Sequence, residues 1–183
     1  MNTLMKRKKQ ILVTIAILAL FNVQGQTHFF KENVTNGSIW YKKSEKDGVR
    51  VDAVHRVENP KKTEENKSDF CIVNDGTKSW QDAQITPKPF YTIKEGDKLY
   101  ISFYNPKGAY SWQLNFVLST SNYTQIGNFD HDLSADSEWK EVEVDLSKYL
   151  GQDIMQIKIF SAHEEELQVF FDNIYIGQKS VLK

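Results

Sequence analysis

The stretch Gln168-Val-Phe-Phe-Asp-Asn-Ile-Tyr-Ile-Gly177 decides the fold class. It is dense in aromatic and β-branched residues and ends on a glycine, the composition of a β-strand. Strict alternation predicts Phe170, Asp172, Ile174 and Ile176 on one face, with Val169, Phe171, Asn173 and Tyr175 on the other. That pattern sets an acid in an apolar row, where a carboxylate needs a cation or several hydrogen-bond donors.

Working outward, the same period-two pattern recurs and helical periodicity is nearly absent. Val49 to Val57 alternates, Phe70 to Val73 is a short apolar run, and Asn74-Asp75-Gly76 closes it as a turn. Leu99, Ile101 and Phe103 stand against Tyr100, Ser102 and Tyr104. Trp112, Leu114, Phe116 and Leu118 share a face, with Gln113 and Asn115 opposite. Val142, Val144 and Leu146 oppose Glu141, Glu143 and Asp145, and Met155, Ile157 and Ile159 oppose Gln156 and Lys158. About eight to ten short strands with one apolar face each predict an all-β, two-sheet antiparallel β-sandwich of the jelly-roll kind. The one helix-like candidate is the turn from Leu146 to Leu150, and Asn59 to Asp69 reads as a solvated loop.

The N-terminus reads differently. Lys6, Arg7, Lys8 and Lys9 precede an apolar run from Ile11 to Val23, which predicts a signal peptide over residues 1–25. The run is about 13 residues, short of the roughly 20 that a membrane-crossing helix needs. Residues 26–183 then form one domain, exported as a secreted, periplasmic or cell-surface protein with no lipid anchor. Loss of four basic residues turns 23 basic against 24 acidic into 19 against 24, a mildly acidic balance. That balance, without a basic run, argues against nucleic acid and against anionic membranes. The lone Cys71 excludes an internal disulfide and, beside Ile72, reads as packing rather than reactive.

No motif for catalysis emerges. Glu164, Glu165 and Glu166 sit in a turn without the alternation that would aim two acids at one sugar bond. His28, His55, His131 and His163 lack metal-ligand spacing, and no phosphate loop or nucleophile elbow is present. The expectation is a protein that is not an enzyme.

The run from Trp139 to Phe160, followed by Phe171-Asp-Asn-Ile-Tyr-Ile176, looks like the C-terminal half of galactose-binding-domain-like jelly rolls. These include carbohydrate-binding modules of secreted bacterial polysaccharide-degrading enzymes. Upstream, Glu58-Asn-Pro-Lys through Phe70-Cys71 resembles the Asn-Pro loop before a strand in such modules, with Trp80 shortly after. The resemblance implies non-catalytic binding of a polysaccharide or glycan. It also implies a structural Ca²⁺ between an early strand and the last one, with Asp172 and Glu32 as ligands. Backbone N–H groups around Asp172 are the metal-free alternative.

Sugar recognition calls for flat aromatics beside hydroxyl-binding polar groups. Trp80, Tyr104, Tyr110 and Trp112 are the candidates, with Tyr123 also in a polar setting. Trp112 shares its face with an apolar row and is equally a core candidate. The alternative function is a structural or adhesive secreted domain that contacts a protein partner, which an exposed apolar patch would mark.

Overall fold

The computed structural model describes residues 26–31, 34–35, 37–41, 44–46, 49–51, 54–64, 66–74, 82–106, 110–131, 138–161 and 169–177. The predicted signal peptide, Glu32, Trp80 and the glutamates at 164–166 lie outside these residues. In chain order the strands are β1 (Thr27–Lys31), β2 (Val34–Thr35), β3 (Gly37–Tyr41), β4 (Ser44–Lys46), β5 (Val49–Val51), β6 (Val54–Glu58), β7 (Phe70–Asn74) and β8 (Asp82–Pro87). They continue as β9 (Tyr91–Thr92), β10 (Lys98–Tyr104), β11 (Tyr110–Leu118), β12 (Ser121–His131), β13 (Lys140–Asp145), β14 (Asp153–Ser161) and β15 (Val169–Gly177).

Two antiparallel sheets form the sandwich. The first runs β13-β10-β15-β1-β2, and β7, backed by β6, pairs with β15 beside β1. The second runs β12-β11-β14-β8-β3, with β9 also on β14. Strand β15 lies between β10 on one side and both β1 and β7 on the other, each of these taking a different half of it. Leu99, Ile101 and Phe103 from β10 and Phe171, Ile174 and Ile176 from β15 meet Ile85, Trp112, Leu114, Phe116, Ile157 and Ile159 from the second sheet. The two-sheet sandwich is therefore as the alternation predicts.

Two bulges correct the predicted faces. Tyr100 pairs with Tyr175 but Ser102 pairs with Asp172, so Asn173 is an extra residue in β15, held at φ +47°. Asparagine tolerates this left-handed conformation better than most residues. Alternation resets there, and Val169, Phe171, Ile174 and Ile176 belong to the one core. Phe170 packs instead in a second cluster with Cys71 and Val73. Asp172 therefore does not share the apolar row of Ile174 and Ile176. A similar shift at Met155 makes Ile154 rather than Met155 the buried partner of Leu118.

The predicted solvated loop is also corrected in part. Between β6 and β7 the chain folds back with Asn66 and Ser68 only 2% and 3% exposed. The Asn66 Oδ1 accepts from the Ser68 N–H at 3.1 Å, and Asn59 Nδ2 donates to the Ser68 carbonyl at 2.9 Å. Trp139 ties this segment down by donating Nε1–H to the Lys61 carbonyl at 2.6 Å. Polar side chains here supply internal hydrogen bonds at Asn59, Asn66 and Ser68, while Lys62, Glu64, Lys67 and Asp69 are exposed as the solvated reading expects. The short 3₁₀ turn Ser147–Tyr149 ends before Gly151 at φ +79°, a conformation that suits glycine.

Where β11 meets β12, the half-buried Phe129 ring stacks on Trp112 with centroids 4.1 Å apart. It reaches that position only because Gly127 has no Cβ: one added there meets Phe129 Cζ at 2.9 Å. Gly127→Ala is expected to push the ring off Trp112 and cost about 1–3 kcal/mol. Urea unfolding monitored by tryptophan fluorescence measures both effects.

Candidate functional site

Of the four sequence-predicted aromatics, the described side chains of Trp112 and Tyr104 lie on opposite faces of their sheets and do not share a site. Trp112 is completely buried, packed against Phe129, Phe103 and Phe171, and is a core residue with no face to offer a ligand. Tyr104 is half-buried on the outer face of the first sheet, against Trp139 and Phe170, with Lys61 Nζ 5.9 Å from its ring centre. It joins the small cluster of Cys71, Val73 and Phe170. Tyr110 opens β11 opposite His131, and its side chain lies outside the described residues, as does all of Trp80. Tyr123 is exposed.

What the fold does assemble is a row of polar side chains across the outer face of the second sheet. Leu114 and Phe116 point inward, so Asn115 between them points out. In the ladder Asn115 stands opposite Gln125 on β12 and Lys158 on β14. Lys158 in turn stands opposite Gln84 on β8, and Gln84 opposite Trp40 on β3. A second row runs Asn128, Gln113, Phe160 and Asp82. Beside them Gln156 donates Nε2–H to Thr86 Oγ1 at 3.4 Å.

Gln84, Gln113, Lys158 and Phe160 are half-buried, and Asn115 at the centre is 0% exposed although it points away from the core. Neither amide atom of Asn115 has a hydrogen-bond partner among the described residues, and neither does Gln113 Oε1. Buried amides are normally satisfied, so these groups hold a donor and two acceptors unused among the described residues on the outer side of the sheet. With the Lys158 ammonium and the Phe160 ring beside them, they match the chemistry of hydroxyl-rich ligands.

Sequence reasoning placed Gln113 and Asn115 opposite Trp112 and Gln156 and Lys158 opposite Ile157. It missed Gln84 and Phe160. The available signal was the repeated amide at outward positions of three separate strands, which becomes a site only once their register is known.

Asp172 is completely buried on the outer face of the first sheet, opposite Ser102 and near Cys71. Among the described residues no three His, Cys, Asp or Glu side chains form a group able to hold a metal. The predicted partner Glu32 lies outside those residues.

No protein-family model matches the sequence, and no curated protein matches it. Solved structures do share the fold. An exo-β-agarase superposes with a TM-score of 0.60 at 10% identity, over 85% of this chain and 25% of that one. What is shared is a two-sheet antiparallel β-sandwich. A family 29 carbohydrate-binding module variant complexed with cellulohexaose gives a TM-score of 0.49 at 14% identity, over 84% of this chain and 92% of that one. The family 22 and family 10 modules of a Clostridium thermocellum endo-1,4-β-D-xylanase, complexed with xylohexaose, give 0.47 at 17% identity, over 70% and 25%. At these identities the likeness is one of fold alone.

Cys71 is completely buried, its Sγ 3.9 Å from the Glu58 carbonyl. Burial, then the charge of Asp172, pushes its thiol up to about 12. The thiolate is the reactive form, so a thiol reagent at pH 8 is expected to leave the native protein unlabelled. In guanidinium one thiol per chain should react. Fast labelling of the native protein would place Cys71 in an open site.

Proposed function

We propose that this protein binds a polysaccharide without catalysis, at the polar row on the outer face of the second sheet. The observation that carries the reading is Asn115: a fully buried amide at the centre of an outward-facing polar row, with neither atom bonded to a described protein group. Leaving such a group unpaired costs stability, which is a recognised mark of positions kept for a ligand. The Asn115 and Gln113 amides and the Lys158 ammonium hydrogen-bond sugar hydroxyls, while Phe160 offers apolar surface to a pyranose face.

The function and stability readouts separate. Asn115→Val is expected to leave the melting temperature unchanged or higher, because it removes an unpaired buried amide. It should weaken retention in affinity electrophoresis by roughly 10-fold or more. Lys158→Ala and Phe160→Ala should also weaken retention. Unchanged retention in all three variants would move the site off this face. A wild-type protein that no plant, algal or host polysaccharide retards would favour a protein partner instead.

Two further parts of the reading concern export and calcium. We infer cleavage before Gln26, and intact mass of the exported protein checks it: a retained N-terminus overturns secretion by this route. We also infer a structural Ca²⁺ on Asp172, because a carboxylate this deeply buried needs strong compensation and oxygen donors suit a hard cation. A chelator should then lower the melting temperature by several degrees, since an ion bound only to the folded state stabilises it. An unchanged transition would leave hydrogen bonds as the sole support of the carboxylate.

A further inference from the structure

The outer face of the first sheet holds a separate recess of about 420 Å³, within the size range of small-ligand sites. It lies across the sandwich from the polar row at Asn115. Its walls include Asn66 from the folded loop, Ser102 of β10, Glu141 of β13, Asn173 and Tyr175 of β15, and Lys31 of β1. Three features show that it is built rather than incidental.

The first is Asn66. It is 2% exposed, its Oδ1 is occupied by Ser68 and Asn59, and its Nδ2 lies buried with no partner among the described residues. A buried N–H₂ donor lining a recess calls for an acceptor within it. The second is the bulge at Asn173, whose left-handed backbone aims a polar side chain into the recess where the regular pleat would not.

The third is a rigid aromatic wall. Tyr175 stacks on Tyr100 at 4.8 Å and meets the tilted His28 ring at 5.1 Å, and its hydroxyl donates to Glu141 Oε2 at 3.3 Å. These contacts leave Tyr175 only 7% exposed, so the wall is preorganised before any ligand arrives. Burial, then the charge of Lys31, lowers the pKa of His28 and keeps its imidazole neutral at pH 7.

The charge balance selects the ligand class. Lys31 and Lys140 line the recess against the single carboxylate of Glu141, which is already engaged with Tyr175. Together with the Asn66 donor this is an environment for an anionic acceptor, while Ser102 and Asn173 suit hydroxyls. We propose that this recess is a second binding site, for a carboxylate-bearing sugar such as a uronic acid. The sugar is either free or a residue of an acidic polysaccharide. The site shares no residue with the polar row on the opposite sheet.

The test is an NMR titration of the isotopically labelled full domain. The probes are D-glucuronate, D-galacturonate and an oligogalacturonide, with glucose and galactose as neutral controls. The acids are expected to shift the Asn66 side-chain amide and the Asn173 backbone amide, and the neutral sugars to leave both in place. Binding of the monomers assigns a free sugar acid or a chain end, and binding of the oligomer alone assigns a chain interior.

Lys31→Gln, at an exposed position, should weaken binding roughly 10-fold or more, and so should Asn66→Asp, which keeps the Oδ1 acceptor of the loop. If Asn66→Asp fails to fold, Lys31→Gln carries the test. Asn115→Val should bind the acids as the wild type does, so failure of the polar row and failure of this recess are distinguishable. Absence of shifts with every acid, equal shifts with neutral sugars, or wild-type affinity in a folded Lys31→Gln variant would each overturn the proposal.

Discussion

The structure depends on β15 being buried on both of its faces. Eight of its nine residues are buried and Asn173 is half-buried, so neither face can be left to water. The inner face is covered by the second sheet in the ordinary way of a sandwich. The outer face needs a cover of its own. The loop between β6 and β7 supplies it near Asp172, and the Tyr100, Tyr175 and His28 rings supply it further along. In the second sheet the outward row beside Asn115 is built from amides, Lys158 and Phe160.

The regular strands were legible in the sequence because their alternation is uninterrupted. Leu99, Ile101 and Phe103, and likewise Trp112, Leu114, Phe116 and Leu118, fall on the core side as the period of two requires. The bulges at Asn173 and Met155 were not legible. Each adds one residue to a strand without changing its composition, and the register of the partner strand alone reveals it. Strict alternation therefore sets Asp172 in the row of Ile174 and Ile176, from which the extra residue at Asn173 removes it.

The candidate site was less legible than the fold, for a different reason. Aromatic residues draw attention as stacking surfaces, yet Trp112 and Tyr104 spend their surface on packing, which is the commoner fate of large rings. The polar row depends on Gln84, Asn115 and Lys158, which lie on three strands far apart in the chain. Each alone reads as an ordinary solvent-facing position. Their significance comes from lateral register and from the depth of Asn115, and neither is encoded locally. The loop at Asn59 to Asp69 misleads in the same way: Asn59, Asn66 and Ser68 serve one another.

The order in which β15 finds its partners bears on how the chain can fold at all. The final described strand supplies the ladder for β1, near the start of the domain, and for β7 and β10 in between. Until it is available, three strands expose unpaired edges and the first sheet cannot close. Such a topology is dominated by contacts between distant parts of the chain, which slows folding and makes it all-or-none. A nascent chain with this wiring stays unfolded until β15 is free to pair. A shortened chain ending before Val169 has no stable intermediate to stop at, only open edges prone to aggregate.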